Sequence, residues 1–172
     1  SCLTFAQLDR KHWFAPMVDR TGNPFQHQTL YLSTNRTTPF PVKIFNNNVQ
    51  IASVTISKGN PQKYNVPRDF IITTNQNDLF TPTSKGLYLE ADFTYYANLR
   101  FSVYNHAEII TSKGIPSTGT LFYAAMMPVT TDPVSPYLNF MTGILATEDN
   151  TQVTISGYSP AVLFSNGISG AT

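Results

Sequence analysis

The chain has 172 residues and a mass of 19.1 kDa, which suits one domain of ordinary size or a piece of a larger protein. Charged residues make up 12% of it, about half of the usual share of roughly 25%. Eleven basic and ten acidic residues are spread along the chain and leave a net charge of +1. This balance argues against a nucleic-acid binder and against a polybasic membrane-surface module, because both need clustered cations. The aromatic content of 13% excludes a disordered segment.

The first residues of the chain have some features of a processed leader. Leu3-Thr4-Phe5-Ala6 is similar to the end of a secretory signal, although the charged start and most of the apolar core are absent. We therefore predict a signal-peptide tail over residues 1–6 and a single β-sandwich module over residues 7–172. An ordinary N-terminal strand and a lipid-anchored Cys2 remain as alternatives. Cys2 is the sole cysteine, which excludes an intramolecular disulfide and an all-cysteine metal site.

Apolar residues alternate with polar ones along most of the chain, which is typical of half-buried strands. Residues 87–103 alternate without a break, and this length exceeds that of an ordinary strand. We therefore predict two strands there, separated by a tight turn or sharp bend between Glu90 and Asp92. A change of phase near Ala52 and Ser53 predicts a bulge or a corner between two sheets. Val153 and Ile155 predict one more strand near the end of the chain.

Turn sequences separate these runs at short intervals, and twelve prolines suit loops and sheet edges rather than helices. No stretch shows the helical period over eleven or more positions. The pattern predicts an all-β fold, an antiparallel β-sandwich or jelly roll of roughly ten to twelve short strands.

Residues that could carry chemistry are few. His12, His27 and His106 have no spacing that presents two ligands on one face, so surface or turn positions are favoured over a zinc site. Glu90 with Asp92, and Glu148 with Asp149, could hold calcium, but a solvated hairpin tip and a simple turn explain them as well. No nucleophile motif or phosphate-binding glycine loop is present. We expect no enzyme activity, no metal and no cofactor.

One strand face has the composition of a recognition surface. Tyr96, Asn98, Arg100 and Tyr104 share the more polar face of the predicted strand, and tyrosine and arginine offer large contact areas with polar tips. The alternative is that this face packs under a second sheet or a loop. The glycosylation sequon Asn35-Arg36-Thr37 is placed between strands, where it should be exposed.

Seven short segments resemble, in the same order, a module of surface proteins of the Bacteroidota that is similar to the N-terminal domain of the IgG-Fc-binding protein. The resemblance covers about residues 11–157, and the final segment is its most specific part. The sequence departs from the pattern at Arg10-Lys11-His12 and at Ile115-Pro116-Ser117-Thr118. The matching segments are Lys11-His12-Trp13-Phe14-Ala15-Pro16, Leu30-Tyr31-Leu32-Ser33-Thr34, Val54-Thr55-Ile56, Lys85-Gly86-Leu87-Tyr88-Leu89-Glu90-Ala91, Thr94-Tyr95-Tyr96, Lys113-Gly114 with Gly119-Thr120-Leu121-Phe122-Tyr123, and Ile144-Leu145-Ala146-Thr147-Glu148-Asp149-Asn150-Thr151-Gln152-Val153-Thr154-Ile155.

The resemblance implies an exported cell-surface module of a longer chain, of the kind found in large gliding-motility adhesins of flavobacteria. It also implies partners in the type IX secretion and gliding machinery and an extracellular surface or glycan ligand. IgG binding is not implied, because no residue maps to an antibody contact. Two alternatives remain. A carbohydrate-binding module should show a planar row of exposed aromatics, with Trp13 and two or three of the tyrosines at the spacing of sugar rings. A jelly-roll capsid or fibre protein should form defined oligomers, whereas a detached adhesin module should be monomeric.

Overall fold

The computed structural model describes residues 7–18, 26–74, 78–103, 106–124 and 141–159. These residues form a curled, largely antiparallel β-structure, so the predicted all-β class is confirmed. The described part of the chain contains nine strands. They are β1 (Asp9–Phe14), β2 (Met17–Val18), β3 (His27–Ser33), β4 (Phe40–Asn46), β5 (Val49–Ile56), β6 (Gln62–Asn65), β7 (Ile72–Thr73), β8 (Leu87–Val103) and β9 (His106–Thr111).

Strand β8 is the central element of the fold, because four other strands pair with it. Its first part pairs with β1 and β4, and its second part pairs with β3 and β9. Strand β5 extends the sheet beyond β4, and β6 extends it beyond β3. We call β1, β4, β5 and the first part of β8 the first half-sheet, and β3, β6, β9 and the second part of β8 the second half-sheet.

The prediction of two strands between residues 87 and 103 was wrong, because β8 is one continuous strand of 17 residues. Instead of turning, β8 pairs with different strands along its length. The pairing with β4 ends at Ala91, the pairing with β3 begins at Tyr96, and the register with β1 shifts between these points. Phe93, at this change of partners, is 36% exposed, and its ring meets that of the core residue Phe40 edge-on at 5.4 Å. The guanidinium carbon of Arg36 lies 3.5 Å from the centre of the Phe93 ring.

The predicted irregularity near Ala52 is confirmed as a β-bulge. Ala52 faces Ile44 and Gln50 faces Phe45, so Ile51 is the extra residue on β5. The loop that joins β4 to β5 consists of Asn47 and Asn48, with φ of 47° and 62°. Asparagine tolerates positive φ, and two such residues form the type I′ turn that suits a two-residue hairpin.

The hydrophobic core is one cluster with residues from both half-sheets, and it largely follows the alternation of the sequence. Alternate residues of β4, and of β8 from Tyr95 to Phe101, are buried, while the residues between them are half-buried or exposed. Each buried leucine or isoleucine contributes roughly 1.5–3 kcal/mol of transfer free energy. The core residues are Phe14, Leu30, Leu32, Phe40, Val42, Ile44, Ile56, Val66, Ile71, Ile72, Leu87, Leu89, Tyr95, Ala97, Leu99 and Phe101.

The predicted strand at Val153 and Ile155 was wrong, since residues 151–159 belong to no strand and both side chains are about half exposed. Alternation alone does not make a strand, because the backbone also needs a neighbour to pair with. The turn predicted just before it is present: Asn150 has φ of 59°, and the Thr151 hydroxyl donates to the carbonyl of Glu148 at 2.7 Å. Asn35 is exposed between β3 and β4, as expected. Residues 1–6 lie outside the described residues.

Candidate functional site

Three of the four predicted recognition residues lie together on the outward face of the second half-sheet. Tyr96, Asn98 and Arg100 alternate with buried Ala97 and Leu99, and each of the three is half-buried. The face is therefore partly accessible rather than sealed under a second sheet. The fourth predicted residue, Tyr104, lies outside the described residues.

Neighbouring strands add two further side chains to this face that the sequence did not single out. Tyr31 of β3 is opposite Asn98 and is 42% exposed, and Ile109 of β9 is opposite Arg100 and is 60% exposed. The hydroxyl of Thr111 donates to the Asn98 side-chain oxygen at 2.7 Å, which orients that amide. We call Tyr31, Tyr96, Asn98, Arg100 and Ile109 together the polar face.

The outward face of the first half-sheet carries a row of three aromatic rings. Trp13 of β1 and Phe45 of β4 both pair with Tyr88 of β8. The ring centres of Trp13 and Tyr88 are 5.5 Å apart, and those of Phe45 and Tyr88 are 5.6 Å apart. All three side chains are half-buried. We call these residues the aromatic row.

Charged side chains lie directly beside the aromatic row. Lys11 of β1 and Lys43 of β4 both pair with Glu90 of β8, two residues along from Tyr88. The Tyr88 hydroxyl donates to a Glu90 carboxylate oxygen at 2.8 Å. Burial first, and then this hydrogen bond to Glu90, raise the pKa of Tyr88 well above its usual range, so the hydroxyl stays protonated. The predicted hairpin tip at Glu90 was wrong, because Glu90 lies within a paired strand.

His12 is fully buried, contrary to the expected surface position. Its Nε2 lies 2.9 Å from the Tyr95 carbonyl oxygen and 3.3 Å from that of Asp9, so Nε2 carries the donated proton. Its ring also meets the Tyr95 ring edge-on at 4.7 Å. Burial lowers the pKa of His12 below 6.5, although the two carbonyls and the Asp9 charge oppose this shift.

We expect His12 to make the fold acid-sensitive. Above pH 6.5 the histidine is neutral in both the folded and the unfolded chain, so its contribution to stability is fully present. Below pH 6.5 the unfolded chain takes up a proton first, and stability falls by up to about 1.4 kcal/mol per pH unit until the lower folded pKa is reached. Urea midpoints measured between pH 7.5 and 4.5 should therefore fall more steeply for the wild type than for His12→Gln. Parallel pH profiles for the two proteins would contradict this assignment.

The other two histidines lie on different strands. His27 is exposed on β3, and His106 begins β9. Within the described ranges, no group of three or more histidine, cysteine, aspartate or glutamate side chains could hold a metal ion. No helix in the same ranges has the length and apolar character needed to cross a membrane.

The chain shows little similarity to known proteins. No protein-family model matches the chain, and no curated protein matches it. Among solved structures, the crystal structure of Thermotoga maritima 1070 is 17% identical over a match that covers 61% of this chain and 91% of that one. The TM-score of this match is 0.29, which is too low to carry an argument about fold or function.

Proposed function

We propose that this chain is a non-enzymatic adhesin or surface-display module of an exported bacterial protein. The observation that supports the proposal best is the polar face, on which Tyr31 and Ile109 are substantially exposed beside Tyr96, Asn98 and Arg100. Tyrosine and arginine are enriched at protein recognition surfaces. The resemblance of residues 11–157 to Bacteroidota surface modules supports the same role.

The proposed mechanism is adhesion through repeated modest contacts. The paired strands hold the polar face rigid, so little conformational entropy is lost when it meets a surface. A monomeric module displayed in many copies would then gain avidity from multivalency rather than from one tight site. In this proposal the type IX secretion system exports the parent chain and the gliding machinery carries it along the cell.

Adhesion of coated beads tests the role of the polar face. Beads that carry the chain at high density should adhere to intact cells of its own species and to glass. The double variant Tyr31→Ala, Arg100→Ala should reduce the number of retained beads by about tenfold, because avidity multiplies a small loss at each contact. Lys113→Ala removes an exposed cation outside this face and serves as the matched control.

Two results would count against the proposal. The first is that wild-type beads do not adhere to either surface. The second is that beads with the double variant adhere as well as those with the wild type or with Lys113→Ala.

A further inference from the structure

We propose that the aromatic row binds an uncharged glycan by stacking against its pyranose rings. This inference rests on the proposed function, to which it adds a class of ligand and a second surface. The residues that carry it are Trp13, Tyr88 and Phe45, with Lys11, Glu90 and Lys43 beside them.

The shape of the row suits a chain of sugar rings better than a single small ligand. The three aromatic rings come from neighbouring strands, so they form one apolar strip that crosses the sheet from β1 to β4. Neighbouring ring planes are inclined by 31° and 34°, so no ring of the row stands edge to face against its neighbour. One face of a pyranose presents C–H bonds, and polarised hydrogens are attracted to the electron-rich face of an aromatic ring.

The polar groups beside the row suit sugar hydroxyls. Glu90 can accept hydrogen bonds, and the exposed amines of Lys11 and Lys43 on either side of it can donate them. Ligand sites commonly combine an apolar surface with a few polar groups that set the orientation of the ligand. Because the Glu90 carboxylate already accepts a hydrogen bond from the Tyr88 hydroxyl, this bond holds it beside the rings.

The local charge favours an uncharged glycan over an acidic one. Lys11 and Lys43 are balanced by Glu90 and by the exposed Asp92, two residues further along β8. A surface without net charge offers an acidic polymer no long-range attraction, whereas stacking and hydroxyl hydrogen bonds need none. We therefore expect glycan affinity to change less than about twofold when the salt concentration rises from 0.05 to 0.5 M, since an uncharged glycan has no charge for the salt to screen.

The test uses the fluorescence of Trp13, which is the sole tryptophan in the chain and so reports on the row alone. The full chain is titrated with neutral hexasaccharides of glucose, mannose, xylose and N-acetylglucosamine. At least one of them should change the Trp13 emission with a saturable dependence on concentration. Tyr88→Leu should weaken that binding by about tenfold, because it removes the central ring but keeps an apolar side chain.

Three further variants test whether hexasaccharide binding depends on the rings of the aromatic row. Phe45→Leu, at one end of the row, should weaken binding as well, which covers the case that Tyr88→Leu does not fold. Tyr88→Phe keeps the stacking surface and should stay within about threefold of the wild type, because only the hydroxyl is removed. Tyr31→Ala changes an exposed ring on the polar face and should leave hexasaccharide binding unchanged, even if it abolishes bead adhesion.

Failure of bead adhesion with intact hexasaccharide binding would therefore overturn the proposed function and leave this inference standing. The inference is overturned if none of the four hexasaccharides changes the emission at millimolar concentration. It is also overturned if folded Tyr88→Leu and Phe45→Leu bind as tightly as the wild type, or if only an acidic polymer such as polygalacturonate binds and salt abolishes that binding.

Discussion

Replacing Leu99 with alanine is expected to lower the free energy of unfolding by about 2–5 kcal/mol, the range that buried leucines show when a cavity is left behind. Leu99 is fully buried on β8, where it lies opposite Leu30 of β3 and Ile110 of β9. Backbone pairing on both sides limits how far the strands can close over the missing side chain. Urea unfolding of the purified chain, followed by far-ultraviolet circular dichroism, measures the effect.

Two companion variants separate this prediction from a general sensitivity to mutation. Leu121→Ala changes a leucine that is 73% exposed and should alter stability by no more than about 0.5 kcal/mol. Leu89→Ala, in the first half-sheet, should lower the free energy of unfolding by about as much as Leu99→Ala. Because β8 joins the two half-sheets, both core variants should shift one shared unfolding transition. Two separate transitions, or a loss below about 1 kcal/mol for Leu99→Ala, would contradict the central position of β8.

Gly114→Ala is expected to lower stability by about 3 kcal/mol, because it combines backbone strain with a lost contact. Gly114 has φ of 69° and ψ of −151°, a conformation that is essentially restricted to glycine. A Cβ atom there would lie 2.7 Å from Cγ of Asp9, too close for the Asp9 side chain to stay in place. That carboxylate accepts the backbone N–H of Ile115 at 2.8 Å, so its displacement would release the 3₁₀ helix Ile115–Ser117 from β1.

Gly59→Ala is the matched control for this prediction. Gly59 also has positive φ, of 80°, but no atom lies within 4 Å of the position that a Cβ would occupy. Gly59→Ala should therefore lower the free energy of unfolding only by the penalty for alanine at positive φ, about 1–2 kcal/mol. Thermal melts of the two variants measure the difference. If both variants lose the same amount of stability, the contact between Gly114 and Asp9 does not contribute to the effect of Gly114→Ala.

The strands were predictable where a period of two coincides with a buried face. In β3, buried Leu30 and Leu32 alternate with exposed Tyr31, as a period of two requires, and the asparagines Asn47 and Asn48 form the tight turn after β4. The sequence did not allow us to predict that residues 87–103 form one continuous strand. A strand of this length is stable only when different partners cover its two parts, and partner order cannot be read from periodicity. The unpaired segment around Val153 shows the same limit, since an alternating pattern does not supply a neighbouring strand.

The two surfaces differ in how far the sequence could predict them. Tyr96, Asn98 and Arg100 belong to one strand, so alternation alone places them on one face. Trp13, Tyr88 and Phe45 come from three strands, and only the register of β1 and β4 against β8 brings them together.

The fully buried His12 was also unpredictable from sequence. Its position depends on the carbonyls of Asp9 and Tyr95, and these are brought to the ring by the strand pairing of β1 with β8. The three charged residues that directly precede it, Asp9-Arg10-Lys11, favour an exposed position and give no sign of such burial.

The proposed function depends most directly on whether this chain faces the outside of the cell. The measurement that tests it is surface labelling of intact native cells with antibodies raised against residues 7–159, with and without external protease. We expect the antibodies to label intact cells, the protease to abolish the label, and disruption of type IX secretion to prevent it. Labelling that requires permeabilised cells and survives external protease would contradict the proposal of an exported surface module.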